Sequence, residues 1–346
     1  MITAMPVLPQ DRAPQGPPLV DRFGRAARSL RLSVTDRCNL RCVYCMPERG
    51  VEWFERGRML TFEEIARVVR VLAGRGVGEV RLTGGEPLLR RDLPVLAAMI
   101  AAIPGVEELS VTTNGLLLAD LARPLYDAGV RRFNIHVDSL DAATFERASR
   151  RDALPRVLAG ITAVERLGAL PIKINVVLIR GVNDHEVPRF AELARTRPWQ
   201  VRFIEMMPLG DGERFERERL VPGAEVRRRI EAIHPLVQAG RDRASAPATL
   251  FRFADGRGEI AFINSVTEPF CAGCDRLRLT ADGMVRNCLF ARGDRDLKPI
   301  LRGGGSDADL LAAVAGEVAA KEAGGSLDLG PVYEDRLPRK MWQIGG

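Results

Sequence analysis

Between Leu30 and Met207, short runs that alternate apolar with polar residues give way repeatedly to longer runs of helical period. The β-like runs are LRLSVT (30–35), EVRLT (79–83), ELSVTT (108–113), RRFNIHVD (131–138), IKINVVLI (172–179) and VRFIE (201–205). Helical patterns such as FEEIARVVRVLAGRG (62–76), DLPVLAAMIAAI (92–103) and LPRVLAGITAVERLG (154–168) lie between them. Six β/α repeats with right-handed crossovers predict an α/β fold whose parallel sheet is open or curled into a partial (β/α)6 TIM-like barrel.

A fully packed parallel barrel has near-continuous apolar strands. Here Leu30, Leu32 and Val34 oppose Arg31, Ser33 and Thr35, and Val80 and Leu82 oppose Arg81 and Thr83. Leu109 and Val111 oppose Ser110 and Thr112; Phe133, Ile135 and Val137 oppose Asn134, His136 and Asp138; Ile172, Ile174 and Val176 oppose Lys173 and Asn175. Buried polar groups must be satisfied, so a shared polar face implies a cavity for a polar ligand. A solvent-facing sheet gives the same alternation, but helical crossovers normally cover both faces of a parallel sheet.

After Met207 the pattern changes to an Arg/Glu-rich stretch, a helix near 223–233 and short strands around 249–253 and 259–264. CAGCDRLRLTADGMVRNCLF (271–290) follows, expected as two strands joined at Asp282-Gly283. The last helix is expected over 308–322. The expected organisation is a mobile leader (1–28), the partial barrel (29–207), a smaller C-terminal α+β region (208–330) and a tail ending in Gly-Gly (331–346).

No apolar run is long enough to span a membrane, and the N-terminus lacks a basic start followed by an apolar stretch. The chain is therefore expected in the cytoplasm, with its thiols reduced. A net charge of +6 suggests an anionic partner. Of the 51 basic residues only Lys173, Lys298, Lys321 and Lys340 are lysines, which makes each lysine informative. Lys173 above all, flanked by Ile172 and Ile174 in a strand, is hard to leave solvated.

Half of the six cysteines stand in CNLRCVYC, where Cys38, Cys42 and Cys45 form C-x3-C-x2-C after the first strand. Zinc would want a fourth ligand, and none lies nearby in sequence. Three thiolates on a cubane iron–sulfur cluster leave one iron open for chemistry. Cys271, Cys274 and Cys288 repeat the situation as C-x2-C-x13-C. A second open cluster uses them as they stand, whereas zinc would need one of the chain's three histidines, His136, His185 or His234.

C-x3-C-x2-C with Tyr44 before the last cysteine resembles the radical S-adenosylmethionine (SAM) superfamily, and TGGEP (83–87) resembles its motif for the SAM amino group. Two three-cysteine sites, with RLSVTDRCNLRCVYCMP, RLTGGEPLLRRDL, TTNGLLL, RFIEMMPLG and a terminal IGG, are similar to the GTP 3′,8-cyclase family of molybdenum cofactor biosynthesis almost end to end. The resemblance implies two [4Fe-4S] clusters, at Cys38, Cys42 and Cys45 and at Cys271, Cys274 and Cys288, with SAM on the first. It implies a lyase in which a deoxyadenosyl radical takes the ribose C3′ hydrogen of GTP. The C3′ radical then attacks guanine C8, and reduction gives 3′,8-cyclo-7,8-dihydroguanosine 5′-triphosphate.

Carried over by position, Arg31, Arg81, Thr112, Lys173, Arg276, Leu277 and Arg278 would bind GTP, with guanine on the open iron of the second cluster. Tyr44, Gly85, His136 and Met207 would contact SAM. His136 departs from the serine usual in the family; it is expected to preserve the contact, though a satisfied interior histidine is equally compatible with the sequence. Gly345 and Gly346 are expected in a tail that reaches the active site, where the absence of side chains matters. Expected partners are an electron donor of flavodoxin or ferredoxin type, the next enzyme of molybdopterin synthesis and a second copy in a homodimer, with neither nucleic acid nor membrane. A radical SAM peptide-modifying enzyme is one rival, although such enzymes usually carry more C-terminal cysteines. A basic RNA-binding module is another, opposed by an aromatic content of 5%, which leaves few stacking platforms.

Overall fold

A computed structural model describes residues 15–209, 217–324 and 339–345. Its first part alternates β1 (Ser29–Ser33), α1 (Phe62–Ala73), β2 (Glu79–Thr83), α2 (Leu93–Ala101), β3 (Glu108–Thr113), α3 (Leu118–Asp127), β4 (Arg132–His136), α4 (Ala142–Ser149), α5 (Leu154–Arg166), β5 (Ile172–Leu178), α6 (Val187–Thr196) and β6 (Trp199–Glu205). Then come α7 (Gly223–Glu231), β7 (Leu236–Gly240), β8 (Thr249–Phe253), β9 (Glu259–Ile263), β10 (Arg276–Leu279), β11 (Met284–Arg286), β12 (Arg295–Asp296), α8 (Lys298–Arg302), α9 (Asp307–Ala319) and α10 (Met341–Ile344).

The local signals act as written. Thr61 and Glu64 cap α1 reciprocally, Glu64 N donating to Thr61 Oγ1 (3.2 Å) and Thr61 N to Glu64 Oε2 (2.8 Å). Ile65, Val68, Val69 and Leu72 then fall on one buried face. On the sheet, Leu30, Leu32, Val80, Leu82, Leu109, Val111, Phe133, Ile135, Ile172 and Ile174 are fully buried in one hydrophobic core. Each such side chain contributes about 1.5–3 kcal/mol relative to an exposed one. Because strand side chains alternate, the same pairing puts Arg31, Arg81, Thr112, Asn134, His136, Lys173 and Asn175 on the opposite face.

Among the described residues twelve strands form one open sheet in the order β12-β11-β10-β1-β2-β3-β4-β5-β6-β9-β8-β7, with β1 to β6 parallel and in sequence order. The C-terminal region extends both edges of the barrel sheet: β10 runs parallel to β1 with Leu277 opposite Leu30, and β9 parallel to β6 with Ile260 opposite Val201.

The leader is corrected in part. Leu19 and Ala27 are buried in the main core, Asp21 is buried, and Arg28 N donates to the Asp275 carbonyl (3.1 Å), so the chain is held to the fold well before Ser29. Residues 1–14 lie outside the described part. Among the described residues no helix is long and apolar enough to cross a membrane.

Candidate active site between two cysteine triplets

Past β1, residues Thr35–Arg37 cross Gly84 and Gly85 at the end of β2. Gly85 N donates to the Thr35 carbonyl (2.9 Å) and Glu86 N to that of Arg37 (2.7 Å). A Cβ on Gly85 would lie 2.5 Å from the Asp36 and Arg37 carbonyl oxygens, and Gly84 has φ 144°, so the crossing requires glycine at both positions. The loop then carries Cys38, Cys42 and Cys45 into a cavity of about 200 Å³ at the C-terminal ends of the strands. Tyr44, Gly85, Thr112, His136 and Met207 line the same cavity.

The surroundings of these thiols disfavour the thiolate form. Burial, aided by Glu86, pushes Cys38 up to about 11, and burial, aided by Asp138, raises Cys42 and Cys45 well above the usual thiol range. Glu86 is raised by burial to about 7 although it accepts from Thr113 Oγ1 (2.6 Å), Asn114 N (2.7 Å) and Leu88 N (3.1 Å). His136 Nε2 lies 2.5 Å from Tyr44 Oη and 2.6 Å from Asp138 Oδ2. Burial opposes charge on the imidazole, but Asp138 and Glu86 outweigh it and hold His136 above its ordinary value. Val177 N fixes the other oxygen of Asp138 (2.8 Å).

Deeper in the barrel the concave face is cationic. In-register pairing places Arg31 beside Arg81 and beside Arg278, and Lys173 lies across β5 and β6 from Gln200 and near Arg202. Arg31 Nη1 donates to Ser29 Oγ (3.1 Å), Arg81 Nε to Ser110 Oγ (3.2 Å), and Arg202 Nε and Nη2 to Gln200 Oε1 (2.8 and 2.6 Å). Among the described residues no carboxylate forms an ion pair with Arg31, Arg81 or Arg202; Lys173 Nζ has Asp242 Oδ2 at 3.9 Å. Burial and mutual repulsion lower Lys173 to about 7, Arg202 to about 9 and Arg81 and Arg278 to about 10, with Arg31 lowered well below its ordinary value. Such a row asks for an anion. Among the described residues Ser33 Oγ, Asn134 Oδ1, Asn175 Oδ1 and Trp342 Nε1 are buried without hydrogen-bond partners, which asks for a polar one.

The second triplet lies beyond Met207. Cys271, Cys274 and Cys288 line a smaller hollow of about 80 Å³ with Arg276, Arg278, Phe270 and Asn287, and Met207 borders both cavities. Arg276 directs Nε (3.3 Å) and Nη2 (3.2 Å) at Cys274 Sγ and stacks on Phe270. Burial would raise Cys274, but Arg276 and Lys321 overcome it and bring the thiol down to about 7. Among the described residues no three Cys, His, Asp or Glu side chains converge on a common point. Each triplet lines a single hollow, and three thiolates around one hollow are the donor set a cubane takes, each sulfur on a different iron.

Residues 339–345 lie between the two. Arg339 holds Asp282 bidentately (2.9 Å to each oxygen) and Asp294 (2.5 Å), and α10 then turns inward so that Met341 and Trp342 line the larger cavity. Gly345, at φ 72°, accepts from Arg278 Nη1 at its carbonyl (2.5 Å). A Cβ there would meet Ser33 Oγ and Thr83 Cγ2 at 2.6 Å. Gly346 lies outside the described residues.

A profile of the radical SAM superfamily matches residues 32–194, and one described as Molybdenum Cofactor Synthesis C matches 199–327. A GTP 3′,8-cyclase of Moorella thermoacetica is 44% identical over 94% of this chain and 99% of its own. One of Acidothermus cellulolyticus is 47% identical over 86% and 83%. The chain belongs to the GTP 3′,8-cyclase family. Its fold is also similar to the crystal structure of Streptococcus suis SuiB, at TM-score 0.55 and 12% identity over 78% of this chain and 62% of that one. The chemistry of the family is that of SAM and [4Fe-4S] iron–sulfur centres.

Of the positions singled out from the sequence, the first three cysteines, Tyr44, Gly85, Thr112, His136 and Met207 share one cavity, and the other three cysteines share the second with Arg276 and Arg278. Arg31, Arg81 and Lys173 sit on the concave face outside the lining of either. The Leu277 side chain points the opposite way, into the core, because it alternates with Arg276 and Arg278, so only its backbone could meet a ligand. The sequence reading passed over Arg202, although Gln200 and Arg202 alternate with Val201 and Phe203 as the earlier strands do. It also passed over Asn114, whose Nδ2 lies 3.9 Å from Cys38 Sγ and which carries no signal beyond TTNG.

Proposed function

We infer that this chain is a GTP 3′,8-cyclase that converts GTP to 3′,8-cyclo-7,8-dihydroguanosine 5′-triphosphate. The observation that carries the reading is a cationic concave face, free of ion-paired carboxylates at Arg31, Arg81 and Arg202 among the described residues, set between two open three-cysteine sites. Cys38, Cys42 and Cys45 would hold the cluster that binds SAM, and Cys271, Cys274 and Cys288 a second; bound there, these cofactors would supply the radical chemistry that begins the reaction.

The chain's own residues bind, orient and shield. Tyr44, His136 and Asp138 form one hydrogen-bonded unit that presents a fixed polar edge to SAM, while Gly85 and Met207 shape its walls. Arg31, Arg81, Lys173 and Arg202 take the triphosphate, arginine as a fork and lysine as a point charge. Arg276 and Arg278 flank the guanine end, and Leu277 contributes through its main chain. Thr112 lies on the path between the two. Met341 and Trp342 wall the cavity against water, and Gly345 closes it. Electrons come from a flavodoxin- or ferredoxin-type donor in the cytoplasm, the product passes to the next enzyme of molybdopterin synthesis, and a homodimer is the expected assembly.

The test is anaerobic reconstitution of both sites, addition of SAM and dithionite, and measurement of 5′-deoxyadenosine with and without GTP. Formation that depends on GTP, with GTP consumed, is the expected result. Cleavage of SAM that ignores GTP would reopen the substrate.

A further inference from the structure

The segment after α9, Ala320–Gly324, lies as a strap over the second triplet. Gly324, at φ 135°, comes so close to Cys271 that an added Cβ would lie 2.2 Å from the cysteine's own. Arg25, fixed by Asp21 (2.6 Å), donates to the carbonyls of Cys271 (2.8 Å), Glu322 (2.6 Å) and Ala323 (2.9 Å) and so pins the strap to the cysteine loop.

Lys321 points inward from this strap and is 6% exposed. Its Nζ donates to the carbonyls of Cys274 (2.7 Å) and Arg276 (3.1 Å) and lies 3.6 Å from Cys274 Sγ. An ammonium has three donors, and these three acceptors take them all. Among the described residues no carboxylate pairs with Lys321, and a buried cation without an anion is costly. The negative partner is therefore the thiolate-bound cluster itself, at the sulfur that Arg276 also addresses.

We propose that Lys321 is the residue that sets the reduction potential of the second cluster, holding its charge against Cys274 and making that cluster easier to reduce than the first. Charge and hydrogen bonds at the ligating sulfurs are the protein's main means of tuning such a centre. Lys321 is thus a positioning residue that acts through Cys274. The inference rests on the two-cluster reading above.

The test uses the full chain with C38A/C42A/C45A, so that only the second site can hold a cluster, and an EPR-monitored redox titration. In K321Q, which keeps donors for the carbonyls but removes the charge, the midpoint moves to more negative potential. At a fixed poise the ratio of reduced to oxidised cluster falls about tenfold, which is 59 mV for one electron. K321R restores most of it. An intact cluster whose midpoint is unmoved in K321Q overturns the proposal and leaves Lys321 a mere staple. No cluster in the background variant, with Lys321 in place, removes the two-cluster reading and the proposal with it. If K321Q itself loses the cluster, the unsubstituted lysine decides. The chain has only four lysines, so ζ-15N-lysine labelling is almost site-specific, and pulsed EPR of the reduced cluster shows a 15N coupling. Absence of that coupling overturns the proposal.

Discussion

The two cysteine triplets have the same ligand count and opposite surroundings. The first is buried with Glu86 and Asp138 for neighbours, and its thiols are all pushed up. The second has Arg276 and Lys321 against Cys274, which is pulled down to about 7 despite burial. A thiolate cluster in the first field resists extra negative charge and, once reduced, is a strong donor; one in the second accepts that charge more readily. Ligand pattern alone therefore does not define such a site. The charges around the sulfurs, acidic at one triplet and basic at the other, are what separates the two.

The sharpest way to break this comparison is to remove one ligand from each side. Cys42→Ala is expected to abolish 5′-deoxyadenosine formation altogether, while Cys274→Ala keeps SAM binding and loses the dependence on GTP. Identical phenotypes would mean that the two sites are not distinct in role. The next effect is on the face between them. Lys173→Met and Arg202→Gln each remove a charged hydrogen bond worth about 1.5–3 kcal/mol, so GTP affinity by calorimetry falls about 10–100-fold with SAM affinity unchanged. A variant that lowered both affinities equally would mark a general loss of structure.

Gly345→Ala forces a side chain into φ 72° against Ser33 and Thr83, a strain of about 1–3 kcal/mol. Turnover is expected to fall about tenfold while thermal unfolding of the barrel hardly moves; a large fall in Tm with turnover intact would refute the assignment. The smallest effect is in pH. Lys173 stands near 7 in the ligand-free fold against an ordinary 10.5, chiefly through burial. The group therefore disfavours the empty fold most below about 7, and that penalty fades as pH rises toward 10.5. A triphosphate raises the value again, so binding takes up a fraction of a proton at pH 8 and weakens with rising pH. Calorimetry in buffers of different ionisation enthalpy measures the uptake, which Lys173→Met removes.

Most of the barrel was legible because strand alternation and helix capping are local properties. EVRLT and ELSVTT begin and end where the pattern put them, and the polar face follows from period two alone. What was not legible is long-range. Nothing in RLRL shows that β10 lies beside β1. Leu277 was grouped with its arginine neighbours by motif, whereas the pleat turns it into the core. The leader's local sequence says nothing of Arg25 reaching the Cys271 carbonyl. Lys321 carried one hint, its rarity, but its acceptors are backbone oxygens that no side-chain pattern reveals.

The pairing of β10 with β1 has a consequence for how the protein is made. The first strand emerges early in synthesis, and its outer edge has no partner until Leu277 has left the ribosome. The β1–β6 barrel can gather meanwhile and bring Cys38, Cys42 and Cys45 together. That same nascent chain presents Leu30 and Leu32 on an unpaired strand, the kind of edge that recruits other chains. The edge that β10 covers is thus the last part of the barrel sheet to be completed as the chain is made.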